Sequence, residues 1–147
     1  MDRAQLTDVT LVRNFVLAGN ATFTLVSKRT GTRFTYRVAT KVVDGPTPTE
    51  TRNLYFVSVL TGPDNQNDYQ FLGTIFDRDQ YRHGRRSRIT EDAVSARAWD
   101  WFWRMLRGGN LQEVEVWHEG RCGRCGRPLT VPESIAVGLG PVYQGLE

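Results

Sequence analysis

Thr22-Phe23-Thr24-Leu25-Val26-Ser27-Lys28, followed after a turn containing Thr30-Gly31 by Arg33-Phe34-Thr35-Tyr36-Arg37-Val38, is the stretch on which the fold turns. Both runs are rich in β-branched and aromatic residues, which suit a pleated, half-buried surface, and the short turn between them makes a β-hairpin. Successive side chains of a strand point to opposite faces, so Phe34, Tyr36 and Val38 share one face while Arg33, Thr35 and Arg37 share the other. An apolar face inward and a basic face outward follows.

Working outward, Asn53 to Thr61 and Tyr69 to Phe76 have strand composition. Gly62-Pro63-Asp64-Asn65-Gln66-Asn67-Asp68 between them has turn chemistry, which predicts a second hairpin. Residues 41–51 contain Gly45-Pro46-Thr47-Pro48, and because proline lacks the amide that a central strand donates, this segment reads as a loop joining the hairpins. Four strands in meander order make one antiparallel sheet, whose apolar face needs a helix over it.

Two helices are available. Across residues 4–18, Leu6, Val9, Val12, Phe15 and Val16 recur at spacings of three and four, with Gly19-Asn20 as the stop. The second opens at Thr90 as N-cap, with Glu91 and Asp92 at the positive end of the helix dipole, and closes at Gly108-Gly109. Val94, Ala98, Trp101, Phe102 and Met105 fall at helical spacing, and Trp99, Trp103 and Leu106 widen the stripe. These tryptophans read as core packed on the sheet, with one left partly exposed for a partner. The predicted class is α+β: a four-stranded antiparallel sheet packed on one or two helices, with a C-terminal zinc-knuckle-like module. Residues 1–110 form the α+β domain, and residues 111–147 a short strand (Val114-Glu115-Val116-Trp117) plus that module.

With 147 residues, 39% of them hydrophobic and 11% aromatic, the chain has enough apolar surface for a core of its own. No apolar run approaches the ~18 residues that a membrane-spanning helix needs. The start, Met1-Asp2-Arg3-Ala4-Gln5, lacks the cationic and apolar regions of a secretory signal, so the expectation is a cytoplasmic protein without membrane contact. Of the 19 basic residues 17 are arginine, and 13 basic residues face 8 acids within residues 1–90, against 6 and 8 beyond. The first 90 residues therefore carry about +5, a balance that suits nucleic acid or an acidic protein, as well as a plain solvated face.

That charge concentrates in residues 78–88, where five arginines surround Tyr81. Guanidinium groups bind phosphates through forked hydrogen bonds, and a tyrosine stacks on a base, so Tyr81, Arg82, Arg85, Arg86 and Arg88 are candidate contacts. Lys28, Arg33 and Arg37 extend the basic surface onto the hairpin. His83 reads as a surface residue.

The only two cysteines stand together in Trp117-His118-Glu119-Gly120-Arg121-Cys122-Gly123-Arg124-Cys125-Gly126-Arg127-Pro128-Leu129. His118, Cys122 and Cys125 are three soft ligands on a Gly-punctuated turn, the kind of set that holds Zn²⁺, although a structural site takes four. Residues 130–138 read as a short helix behind them. Three readings stay open: a degenerate knuckle held by packing, an incomplete but occupied zinc site, and a Cys-Gly-Arg-Cys redox pair. The last sits badly with antiparallel surroundings, since such pairs start a helix after a strand in a βαβ unit.

The segment from His118 to Pro141, with Cys122-Gly-Arg-Cys125-Gly-Arg-Pro-Leu-Thr130 and Gly138-Leu-Gly-Pro141, resembles an uncharacterised zinc-finger-like family common in bacteriophages, prophages and actinobacterial genomes. Gly-Asn-Ala-Thr-Phe-Thr at 19–24 and Leu-Thr-Gly-Pro-Asp-Asn at 60–65 look like the upstream part of its longer phage members. The resemblance implies a phage origin and no particular activity. A further cysteine usually follows Gly-Pro after one residue in that family. Tyr143 occupies the matching position here, which leaves water, Glu119, Glu133 or nothing as the fourth ligand.

Enzyme signatures are absent. There is no phosphate-binding Gly loop ending in Lys-Ser or Lys-Thr, no Gly-x-Ser-x-Gly and no His-Glu-x-x-His, and His118 is spaced wrongly for a deaminase. The sequence therefore points to a non-enzymatic phage-type accessory protein that binds nucleic acid, DNA or RNA, through its basic face. The alternative is a protein-binding inhibitor of a host defence complex, similar to an anti-CRISPR, acting in the host cytoplasm.

Overall fold

The hairpin at Thr22 to Val38 forms, but it is the centre of a larger sheet. The computed structural model of the chain describes residues 4–45, 47, 49, 51–64, 67–124 and 138. Within them the elements run β1 (Ala4–Leu6), α1 (Val9–Val16), β2 (Asn20–Ser27), β3 (Arg33–Asp44), β4 (Thr51–Leu60), β5 (Tyr69–Phe76), β6 (Gln80–His83), α2 (Val94–Arg107) and β7 (Val114–His118). The strands make one antiparallel sheet in the order β1-β7-β2-β3-β4-β5-β6.

Seven strands replace the four expected, and each addition has a local cause. Residues 4–18 divide, because Asp8 takes the N-cap position with its carboxylate accepting the Thr10 N–H at 3.3 Å, which leaves Ala4–Leu6 to pair with β7. β6 lies inside the arginine-rich stretch, where Tyr81 alternates with the exposed Gln80 and Arg82. β7 inserts between β1 and β2, so the first strand of the C-terminal segment is part of the main sheet. β3 and β4 also continue through most of the segment read as a loop, with pairing as far as Asp44↔Thr51.

One face of the sheet carries the core. Phe23 and Leu25, Tyr36 and Val38, Tyr55, Val57 and Val59, Leu72 and Ile75, and Val114 and Val116 are all buried there. At the centre Trp99 meets five rings, with centroids 5.2 Å from Tyr36, 5.4 Å from Phe102, 5.9 Å from Tyr81 and Trp103 and 6.1 Å from Phe23. Truncating an aromatic side chain packed in this way costs about 3–5 kcal/mol. α2 is rotated from the stripe expected of it. It buries Ala96, Trp99, Phe102, Trp103 and Leu106, leaves Val94 exposed, and holds Trp101 half-buried. It starts after Ala93 rather than at Thr90, whose hydroxyl donates to Asp92.

The β5–β6 turn anchors both helices. Asp77 and Arg78 adopt left-handed φ values of 54° and 58°, as a tight hairpin turn requires at its two central positions. Non-glycine residues held there cost roughly 1 kcal/mol or more each. Offsetting contacts surround the turn: Arg78 donates to the Tyr55 hydroxyl at 3.1 Å, and Arg13 of α1 donates to the Arg78 carbonyl at 3.0 Å. From α2, Trp103 Nε1 donates to the Asp79 carbonyl at 2.7 Å, and Arg107 grips the Asp79 carboxylate at 3.0 and 3.2 Å. The other end of α2 is tied down by the Tyr36 hydroxyl, which donates to the Ser95 carbonyl at 2.7 Å. No helix among the described residues is long and apolar enough to cross a membrane.

Candidate nucleic-acid interface

The second face of the sheet carries no core residue. Cross-strand register lines up its side chains in rows, of which Thr22–Arg37–Ser58–Phe71 is one and Ala39–Phe56–Thr74–Arg82 the next. Arg37 lies over the ring of Tyr69, its guanidinium carbon 3.9 Å from the centroid, and Arg82 is 5.7 Å from the centroid of Phe76. Between these arginines Phe56 and Phe71 meet edge to face at 6.2 Å, both half-buried. Arg33, at the start of β3 opposite Val26, is exposed, and so is Lys28 just beyond the end of β2.

The loop after β6 finishes the first row. Gly84 N–H donates to the Leu72 carbonyl at 2.9 Å, the Ser87 hydroxyl donates to the Phe71 carbonyl at 2.7 Å, and His83 Nε2 lies 2.8 Å from the Ile89 carbonyl. These bonds occupy carbonyls that β6 is too short to reach and hold the loop to the sheet edge. Arg85, Arg86 and Arg88, all exposed, are thereby fixed beside the end of the row that begins at Thr22 and Arg37.

Tyr81 is not part of this surface. It points to the core, packs edge-on to Trp99 at 5.9 Å, and its hydroxyl is buried. Burial, with Asp100 and Glu91 nearby, pushes its ionisation far above the ordinary tyrosine range. Gly73 makes room for it, because a side chain there would collide with the Tyr81 ring and the Arg82 carbonyl. Its ring is partly buried against the core, on the side of the sheet opposite the arginines of this face. The aromatic partners of the arginines are Phe56, Phe71, Tyr69 and Phe76, which sequence reading passed over as strand residues. Period-two alternation with Tyr55 and Val57 was the signal that Phe56 faces away from the core.

Charge is unevenly spread across the face. Glu115 and Glu119 stand on the β7 side, where Trp117 Nε1 donates to Glu115 at 2.9 Å, and Thr24, in hydrogen bond with Thr35, donates to Glu119 at 3.2 Å. The arginines occupy β3, β6 and the following loop. An anion is therefore favoured on the β3–β6 half of the sheet. Burial raises the Tyr69 ionisation, Arg37 opposes that rise and Glu119 adds to it, so the ring over which Arg37 lies stays neutral.

The zinc-knuckle-like module expected at the C-terminal end requires correction. Cys125, Tyr143, Glu133 and all but Gly138 of the helix read over residues 130–138 lie outside the described residues. Among the described residues no group of three His, Cys, Asp or Glu side chains is placed to hold a metal. His118 is fully buried, with Nδ1 accepting the Gly120 N–H at 2.9 Å. Cys122 is buried, its sulfur accepting the Arg124 N–H at 3.3 Å. The turn is stapled to α1 and to the start of β2: Asn20 N–H donates to the Gly123 carbonyl at 2.6 Å, Gly123 N–H donates to the Gly138 carbonyl at 2.8 Å, and Phe15 lies so close to both glycines that neither tolerates a side chain.

The comparisons with known proteins bear on this C-terminal part. Residues 115–142 match DUF6011, described as a family of unknown function. The match begins in β7 and takes in the His118–Cys122 turn. No curated protein and no solved structure matches the chain.

Proposed function

We propose that this protein is a non-enzymatic binder of single-stranded nucleic acid, with the strand lying across the β3–β6 half of the open sheet face. The observation that carries the reading is the alternation of guanidinium and ring on that face: Arg37 over Tyr69, Phe56 against Phe71, and Arg82 beside Phe76. Partly exposed rings stack with bases of any sequence, and arginines pair with the phosphates between them. A rigid duplex buries its bases and would meet only the charges. Affinity therefore comes mainly from the backbone, with little sequence preference. The resemblance of the segment from His118 to Pro141 to phage and prophage sequences supports placing the protein among phage-type accessory proteins.

The test is a titration of isotope-labelled protein with a 12-nucleotide oligothymidylate, followed residue by residue in solution. Shifts confined to β3, β4, β5, β6 and the loop at 84–89 are expected. A footprint on the β7 side, or none at all, contradicts the reading.

A further inference from the structure

On the other side of the sheet, a groove of about 710 Å³ separates α2 from the β2–β3 hairpin. Its floor is aliphatic and aromatic, formed by Leu25, Phe34, Ala98 and Val114 with Trp101 and Val94 along the helix wall. Val94 is 65% exposed, the most open of the large apolar side chains among the described residues. Its rim holds three arginines, Arg29 from the hairpin and Arg97 and Arg104 from α2, against the single carboxylate of Glu113. On α2, positions 94, 97, 101 and 104 follow the helical repeat, so an apolar and a cationic row run side by side for roughly 15 Å.

We propose that this groove is a docking site for an acidic peptide segment of a protein partner, one that inserts an aliphatic or aromatic side chain between Phe34 and Trp101 while flanking carboxylates pair with Arg29 and Arg97. The charge of the rim selects an anion, since three guanidiniums face one carboxylate there. Arg104 already engages Asp100 at 3.2 Å, and the available pairing falls to Arg29 and Arg97. The aliphatic floor then selects a peptide over a nucleic acid. Leu25, Val94, Ala98 and Val114 offer a pocket for a side chain rather than a flat surface for a base, and a tryptophan with arginines around an apolar centre is the composition of an interface hot spot. The length suits four or five extended residues at about 3.3 Å each. This site is independent of the open sheet face, so either stands if the other fails.

The experiment is selection from a random dodecapeptide display library on the intact protein, counter-selected on the Arg29→Ala/Arg97→Ala variant. Both positions are exposed and outside the core, so the variant keeps the fold, which its circular dichroism and melting curve verify. Recovered peptides should carry two or more Asp or Glu around one large apolar residue, and the double variant should bind them at least about tenfold more weakly. With 5-fluorotryptophan incorporated, the Trp101 resonance should shift on peptide addition while that of Trp117, on the open face, stays in place. Failure to recover acidic peptides, or binding indifferent to the two arginines, overturns the proposal. It is equally overturned if oligothymidylate moves the Trp101 resonance and the peptides do not, which would make the groove a nucleic-acid site.

Discussion

The guanidinium of Arg37 lies 3.9 Å from the ring centroid of Tyr69, on the sheet face that carries no core residue. Such a pair contributes about 0.5–1 kcal/mol at an exposed site, too little to decide the fold. Arg37→Ala is therefore expected to leave the melting temperature nearly unchanged while weakening oligonucleotide binding. Loss of one phosphate contact should also lower the magnitude of the salt slope by about 0.7. Paired thermal melts and salt titrations of wild type and variant check both parts.

Tyr81→Phe separates the core role of that residue from the stacking role that its arginine-rich neighbourhood suggests. The hydroxyl is buried without a hydrogen-bond partner, so removing it deletes an uncompensated polar group. Stability should stay level or rise by about 1 kcal/mol in urea unfolding, with oligonucleotide affinity unaltered. A drop in affinity without a drop in stability would return Tyr81 to the interface.

Alkaline pH should unfold the protein through its buried tyrosines. Burial raises the ionisation of Tyr36 and Tyr81 well above the unfolded value of 10.0. The folded state thus holds these protons more tightly, and the resulting stability is fully present below pH 10 and declines as pH rises above it. Each tyrosine contributes a slope of at most about 1.4 kcal/mol per pH unit. Urea midpoints measured between pH 9 and pH 11 should fall, and Tyr36→Phe should flatten that fall while costing the hydrogen bond to Ser95.

Gly138→Ala tests the staple between the C-terminal segment and α1. Gly138 has φ +72°, and a side chain there would run into the Phe15 ring. Destabilisation of roughly 1–3 kcal/mol is expected from strain and displaced packing. Hydrogen exchange of the Gly123 amide, which donates to the Gly138 carbonyl, should accelerate first. An unchanged exchange rate would show that the contact carries no stability.

Much of the architecture is legible from alternation alone. The pairings of β2 with β3 and β4 with β5 follow from the period-two patterns of Phe34, Tyr36, Val38 and their partners, and the core role of Trp99 and Trp103 follows from helical spacing. What failed to show has physical causes. Leu6 fits the helical spacing of Val9 and Val12, and the boundary at Asp8 depends on a cap that the apolar period does not encode. A Pro-containing connection masked the long β3–β4 hairpin, since its strands pair up to the edge of that connection. The stripe on α2 included Val94 and Trp101 because the spacings of its apolar residues cover more than one face, and only packing on Phe23 and Tyr36 selects between them. At the candidate interface the arginines were evident, whereas their ring partners were not. Phe56 and Phe71 come together through strand register, a relationship between residues 15 apart that no local pattern reports.

The central claim, that the arginine and ring face binds single strands, is tested most directly by the salt dependence of oligothymidylate binding. Measurable affinity is expected near 50 mM salt, with a linear fall of log K with log salt. The slope should lie near −3 for about four phosphate contacts and become shallower in the Arg37→Ala and Arg82→Ala variants. No binding even at low salt, or a slope untouched by both substitutions, would contradict it.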